Sequence, residues 1–181
     1  KSEFKNKQNF GISFNGNIPL IKKLYPNIKV DTYGIIELIS QNDSYIDDIL
    51  INFQNKIPGV FCLLVLFNNE IYILRDRYGV RPLSIGVGKG IFCVSSETNA
   101  MLEMDIYPFR DVLPGEIVKL GQNSIETIYK LNINENMHCL FEYIYFLRPQ
   151  SKSDYTLVED FREKCGYNLA INDEYFLKNI D

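Results

Sequence analysis

The chain has 181 residues, 46% hydrophobic and 23% charged, with a formal net charge of −4. That length holds one full domain and the start of another, and the acidic balance leaves no basic footprint for nucleic acid. No apolar run approaches the roughly 20 residues that cross a bilayer, and the segment Lys1 to Lys7 lacks the apolar core of a secretory signal.

The scattered basic residues cluster only at Lys1, Lys5 and Lys7, which read as a solvated strand edge or turn. The segment Asn9–Phe14 alternates like a strand, and Asn15-Gly16-Asn17 after it is a turn signal. Asn17 with Pro19 predicts a capped helix running to about Tyr25, stopped by Pro26. Asp31, ahead of Ile35, Ile36, Leu38 and Ile39, predicts a second capped helix. A third runs from Ser44 to about Asn55, with Ile46, Ile49, Leu50 and Phe53 on one face.

From Gly59 the texture becomes that of strands. Val60–Phe67 is almost wholly apolar, which predicts a strand covered on both faces. Asn68-Asn69 turns it into Glu70–Leu74. Leu83–Val87 and Ile91–Val94 form a second hairpin across Gly88-Lys89-Gly90, and Tyr107–Val112, Glu116–Leu120 and Ser124–Tyr129 continue the sheet. Residues 131–138 read as a polar linker. The aromatic run 139–147, closed by Arg148-Pro149, reads as a short buried helix or strand ending at a forced turn. The last stretch, from Thr156 to about Tyr175, has helical spacing at Val158, Phe161, Cys165 and Leu169. Helices followed by meandering strands give an α+β fold with mostly antiparallel sheets.

Few residues offer chemistry. Asn15 and Gly16 supply a side-chain amide and a closely approachable backbone N–H, two donors suited to a developing oxyanion. An Asn-Gly pair is also, commonly, only a turn. Asp31 is an acceptor for a ligand ammonium or a helix N-cap, and one carboxylate has lone pairs for both. In Asp76–Gly86, Gly79 turns the chain, Pro82 stiffens a strand start, and Arg81 is suited to a carboxylate such as Glu97. The Gly-rich stretch Gly86–Gly90 lacks the Ser/Thr and spacing of a P-loop. His138 is the only histidine, which leaves little material for a histidine triad or metal cluster. The four cysteines, Cys62, Cys93, Cys139 and Cys165, show no CxxC or disulfide-dense spacing, and a reducing, cytoplasmic compartment is expected.

Five segments in order resemble the amidophosphoribosyltransferases, the glutamine-dependent enzymes that open purine synthesis. They are Phe14-Asn15-Gly16-Asn17, Asp31-Thr32, Asp76–Gly86, Ser95-Ser96-Glu97-Thr98 with Arg110–Glu116, and Glu142–Phe146 with Arg148-Pro149 and Ser151. The resemblance implies an incomplete four-layer α/β/β/α sandwich of the N-terminal-nucleophile hydrolase type, mostly antiparallel, followed by C-terminal helices. It makes residues 1–130 part of a glutamine amidotransferase domain, and residues 131–181 a linker with the start of a phosphoribosyltransferase domain. It implies that Asn15 and Gly16 are oxyanion donors and that Asp31 holds the α-amine of glutamine. Phe14 and Tyr33 depart from a His and a Glu usual in the family.

The resemblance further implies glutamine and phosphoribosyl pyrophosphate as substrates, Mg²⁺ in the full enzyme, a homo-oligomer, and no nucleic-acid or membrane partner. Cys139 aligns with an iron–sulfur ligand of some members, but the other ligands would fall beyond residue 181, so no cofactor is expected in this chain. The nucleophilic Cys and the phosphoribosyl pyrophosphate loop would also lie outside these residues. As written, the chain is expected to be an inactive fragment or processed product of that enzyme. The alternatives are a non-catalytic amidotransferase-like binding or regulatory domain, or another glutamine amidotransferase such as a glucosamine-6-phosphate or asparagine synthase.

Overall fold

The computed structural model describes residues 10–132 and 136–173. The lysine cluster at Lys1, Lys5 and Lys7 therefore lies outside the described residues. The chain divides into two compact units, Lys1–Leu83 with Val112–His138, and Ser84–Asp111 with Cys139–Asp181.

The first unit is a five-stranded antiparallel sheet with helices on one face. Its strands are β1 (Gly11–Asn17), β2 (Val60–Phe67), β3 (Glu70–Arg75), β7 (Glu116–Leu120) and β8 (Ile125–Lys130), in the order β1-β2-β3-β7-β8. Its helices are α1 (Pro19–Leu24), α2 (Asp31–Ser40) and α3 (Ile46–Lys56). The core joins Ile21, Ile35, Ile39, Ile49, Leu50 and Phe53 of the helices to Phe61, Leu63, Val65 and Phe67 of β2 and to Tyr72, Leu74 and Ile117. Burying each such aliphatic side chain contributes about 1.5–3 kcal/mol, so the odd-numbered face of β2 anchors the helix layer. Phe53 meets Phe61 edge-on at 5.5 Å.

Three local expectations change here. Asn15-Gly16-Asn17 is the end of strand β1, not a turn, and pairs with Val60–Cys62. A Cβ on Gly16 would sit 2.2 Å from the Val60 carbonyl oxygen, so this glycine permits close strand approach rather than chain reversal. The reversal comes at Ile18, the N-cap position of α1, with Pro19 in the first turn and no side-chain cap from Asn17. Finally, β2 is not covered equally on both faces: Leu66 is 51% exposed and Leu64 only half-buried. The Asn68-Asn69 turn is as expected, both residues having positive φ (50° and 62°) as a tight hairpin requires.

The second unit holds a separate three-stranded sheet, β5-β4-β6, of β4 (Ser84–Gly88), β5 (Ile91–Ser95) and β6 (Tyr107–Asp111). The strand expected over Tyr107–Val112 thus does not continue the first sheet. It pairs with β4 across a bulge at Ile85/Gly86, while β7 pairs with β3. Helix α4 (Thr98–Leu102) was not legible in the sequence, because five residues are too few for helical periodicity.

The aromatic run forms one wide helical turn, Glu142–Phe146, closed by the Leu147 N–H to the Glu142 carbonyl at 2.9 Å. The run is not buried as expected. Tyr143 and Leu147 pack on Val158 and Phe161, whereas Phe141, Tyr145 and Phe146 are exposed. A single turn sends neighbouring side chains in all directions, and only the pair four apart reaches the next helix. After the short hairpin β9 (Lys152–Ser153) and β10 (Thr156–Leu157) comes α5 (Val158–Asn172). Only its first turn finds this partner, so Cys165 and Leu169 are exposed despite their spacing.

Candidate active-site edge

Among the described residues strand β1 lies at one end of its sheet, and its two faces differ. Ile12 and Phe14 pack against the helix-side core, while Gly11, Ser13, Asn15 and Asn17 are exposed on the other face. Asn15 lies opposite Cys62 in register, and its side-chain amide has no partner among the described residues. Phe14, where the family's usual residue is His, is accounted for by this alternation: it fills the core on the face away from Asn15.

Asp31 does not cap its own helix. It is the first residue of α2, after Val30 at the N-cap position, and its Oδ2 accepts the Ile18 N–H at 2.8 Å. That bond satisfies an open donor at the entry to α1 and fixes the carboxylate where β1 ends. The acid also lies in the first turn of α2, where a negative charge suits the helix dipole. Tyr33, where the family's usual residue is Glu, is 64% exposed on α2. At the strand's end a cleft of about 460 Å³ opens between Asn17, Pro19, Lys23, Val60 and Tyr78.

The loop after β3 is built from two buried charged residues. Arg75, 1% exposed, donates to the carbonyls of Gly79, Arg81 and Val112, each at 2.8 Å. The fully buried Asp76 accepts the Tyr78 and Val80 N–H groups at 2.9 and 3.1 Å. Burial pushes the Asp76 carboxyl above its ordinary range, with those N–H groups acting the other way. Gly79 turns the loop at φ +62° as expected, and the Arg77 guanidinium lies 5.2 Å from the Tyr78 ring centre. Sequence reading singled out Asp76 onward and missed Arg75. The available signal was a lone cation closing the otherwise apolar strand Ile71–Leu74.

In the second unit, Glu97 has a role other than the one expected. Its Oε1 accepts the Arg148 N–H at 2.8 Å and the Ser151 hydroxyl at 3.2 Å. Thr98 Oγ1 accepts the Lys152 N–H at 2.7 Å, and Asp111 accepts the Asp154 N–H at 2.8 Å as well as the Ser84 hydroxyl. Segments 95–98 and 110–111 thus hold the turn that ends the aromatic run.

The cysteines do not converge. Cys62 is buried, its thiol 3.5 Å from the Pro82 carbonyl oxygen, and Cys165 is exposed on α5. Burial raises the Cys93 thiol pKa. Among the described residues no group of three or more His, Cys, Asp or Glu could hold a metal ion. No described helix is long and apolar enough to cross a membrane.

The α+β architecture with antiparallel sheets is that of known enzymes. The chain is similar to amidophosphoribosyltransferase of Homo sapiens (33% identity over 138 residues; 66% of this chain, 27% of the relative). It is also similar to that of Pyrococcus horikoshii (38% over 115 residues; 64% and 25%) and that of Bacillus subtilis (32% over 142 residues; 77% and 30%). It therefore spans roughly a quarter to a third of their length. Its structure resembles the glutamine phosphoribosylpyrophosphate amidotransferase of B. subtilis solved with ADP and GMP (TM-score 0.76, 28% identity, 86% of this chain and 37% of that one). It also resembles a solved allosteric regulatory enzyme of purine biosynthesis (TM-score 0.82, 27% identity, 94% and 39%). The glutamine amidotransferase domain profile matches residues 3–103, more than half of the chain. The chain belongs to the glutamine amidotransferase domain family, in the form that amidophosphoribosyltransferases carry.

Proposed function

We propose that this chain is part of an amidophosphoribosyltransferase, which moves the amide nitrogen of glutamine to phosphoribosyl pyrophosphate and so forms phosphoribosylamine in the first step of purine synthesis. Residues 1–130 belong to its glutaminase domain, and residues 131–181 link to and begin its phosphoribosyltransferase domain. The observation that carries this reading is the bond from the Ile18 N–H to Asp31 Oδ2. It fixes a carboxylate at the end of the strand that presents Asn15 and Gly16.

In this reading the Asn15 side-chain amide and the Gly16 N–H stabilise the oxyanion formed when the glutamine amide is attacked. Asp31 keeps one oxygen for the substrate's α-ammonium by a charge-assisted hydrogen bond. The attacking thiolate comes from an N-terminal cysteine outside these 181 residues, with its own α-amine as base. None of the internal cysteines has a free amine to serve in its place. The working enzyme is a cytoplasmic homo-oligomer that takes up Mg²⁺ with phosphoribosyl pyrophosphate. The packing of Phe14 against the core, away from Asn15, weighs against a non-catalytic relative, since that departure leaves the Asn15 face unchanged.

The test is to supply the full-length protein with amide-¹⁵N glutamine and phosphoribosyl pyrophosphate. Release of pyrophosphate together with ¹⁵N-phosphoribosylamine is expected. Neither product forming while the folded protein still binds glutamine would overturn the assignment.

A further inference from the structure

Gly34 is a buried glycine inside α2, where glycine is, after proline, the least favourable residue for a helix. Packing accounts for it. A Cβ built on Gly34 would stand 2.1 Å from Ile21 Cγ2, far inside the roughly 3.5–4.0 Å at which two carbons rest. The absent side chain is therefore a notch in α2 that receives a methyl group of α1. Ile21 is fully buried, and its Cγ2 branches directly from Cβ, so that methyl moves only if χ1 leaves the rotamer a helix favours. A side chain at position 34 must push one helix off the other.

This contact lies one turn along from the bond that fixes Asp31. Ile18 precedes Ile21 by three residues and Asp31 precedes Gly34 by three, a spacing that sets each pair on one helix face. Both helices start at the bond from the Ile18 N–H to Asp31 Oδ2, 2.8 Å long, and run on side by side in the same direction. Among the described residues no second hydrogen bond holds this carboxylate. Relieving a Cβ at position 34 takes a shift of roughly 1–2 Å. Carried to the start of α2, that shift stretches the Ile18–Asp31 bond beyond hydrogen-bond length.

We infer that Gly34 is a positioning residue: by admitting Ile21 it sets the spacing of α1 and α2 and so places the Asp31 carboxylate for substrate. The inference rests on the proposed role of Asp31 toward the glutamine α-ammonium, and adds to it a residue that touches no substrate. A swap isolates the contact. Gly34→Val with Ile21→Ala moves the same number of carbons from one helix to the other, and volume-conserving changes are the best tolerated in a core. Ile21 Cβ, which the swap keeps, is 3.5 Å from the built Cβ, an ordinary contact.

The experiment measures glutamine-dependent and ammonia-dependent phosphoribosylamine formation in full-length Gly34→Ala and in the swap, and follows amide exchange at Ile18. Gly34→Ala is expected to raise the glutamine KM about tenfold, as loss of a bond to a charged group does, and to leave the ammonia-dependent kcat unchanged. Ile18 exchange should accelerate at least about tenfold in the same variant. The swap should bring KM and exchange back to within about threefold of wild type, a recovery that a general loss of stability does not give. The inference is overturned if the Gly34→Ala KM stays within about twofold of wild type, if both rates fall together, or if the swap restores nothing.

Asp31→Asn separates this inference from the reading beneath it. A raised KM there with none in Gly34→Ala overturns the inference alone, and an unchanged KM there overturns the role of Asp31 and the inference with it. Where Gly34→Ala does not fold, Ile21→Leu takes the Cγ2 methyl out of the notch and keeps an apolar side chain. It should raise the same KM several-fold, and an unchanged KM overturns the inference. If the wild type makes no product from glutamine, the proposed reaction fails, and unchanged Ile18 exchange in Gly34→Ala is then the result that overturns the placement of Asp31 by the notch.

Discussion

Glu97 Oε1 accepts the Arg148 N–H at 2.8 Å across 51 residues of sequence. The same oxygen takes the Ser151 hydroxyl, so a single carboxylate holds both ends of the turn that Pro149 forces. Charge-assisted bonds are stronger than neutral ones, though this one is partly open to water. Glu97→Ala is expected to cost about 1 kcal/mol in denaturant unfolding. Amide exchange should accelerate at Arg148 and Ser151 while residues of β2 stay protected.

Gly16 and Asn15 are neighbours with separable demands. A methyl on Gly16 would meet the Val60 oxygen at 2.2 Å and Phe61 Cα at 2.6 Å, both backbone atoms that cannot swing aside. Gly16→Ala should therefore destabilise by about 2 kcal/mol or more through overpacking. Asn15→Ala, on the exposed face, should change stability by less than about 0.5 kcal/mol. Parallel urea titrations of the two variants check this.

Arg75 is the keystone of the loop 76–82. Removing it leaves the carbonyls of Gly79, Arg81 and Val112 without their donor, at about 1–3 kcal/mol each if they stay buried. Arg75→Met should lower stability by at least about 3 kcal/mol. Arg75→Lys should rescue little of this, since one ammonium cannot reproduce the planar fork. Thermal unfolding of both variants distinguishes these outcomes.

Tyr72 supplies a pH test. Its buried hydroxyl donates to Glu70 at 3.1 Å, and Glu70 also pairs with Lys119 at 2.8 Å. Burial first, then the charges of Asp47 and Glu70, push the phenol pKa far above its ordinary value of 10.0. A raised folded-state pKa means that the stabilisation is complete below pH 10 and is lost as pH rises past it, because the unfolded chain then releases a proton that the folded chain keeps. Above pH 10 the wild type should lose up to about 1.4 kcal/mol per pH unit more than Tyr72→Phe. Equal alkaline slopes for the two proteins would contradict this.

Much of the first unit was legible because its signals are local. Val60–Phe67 and Glu116–Leu120 are strands over the expected residues, and Ile46, Ile49, Leu50 and Phe53 form the buried stripe of α3. The misreadings arose where a distant partner decides the outcome. Asn-Gly reads as a turn until β2 lies alongside and its ladder carries β1 to Asn17. Asp31 reads as a cap until the Ile18 N–H claims it, and Glu97 finds its partners 51 and 54 residues away. The spacing along α5 predicts a buried stripe, but only the first turn meets the aromatic run. At the candidate site, the residue types were readable from the sequence, whereas the face each one occupies follows from strand register.

In the proposed reaction Asn15 serves the glutamine half. The most direct test compares glutamine-dependent and ammonia-dependent phosphoribosylamine formation in full-length Asn15→Ala. Loss of one oxyanion donor should lower the glutamine-dependent kcat by about 10²–10³ and leave the ammonia-dependent rate unchanged. A glutamine-dependent rate within twofold of wild type, or an equal fall in both rates, would contradict the assignment.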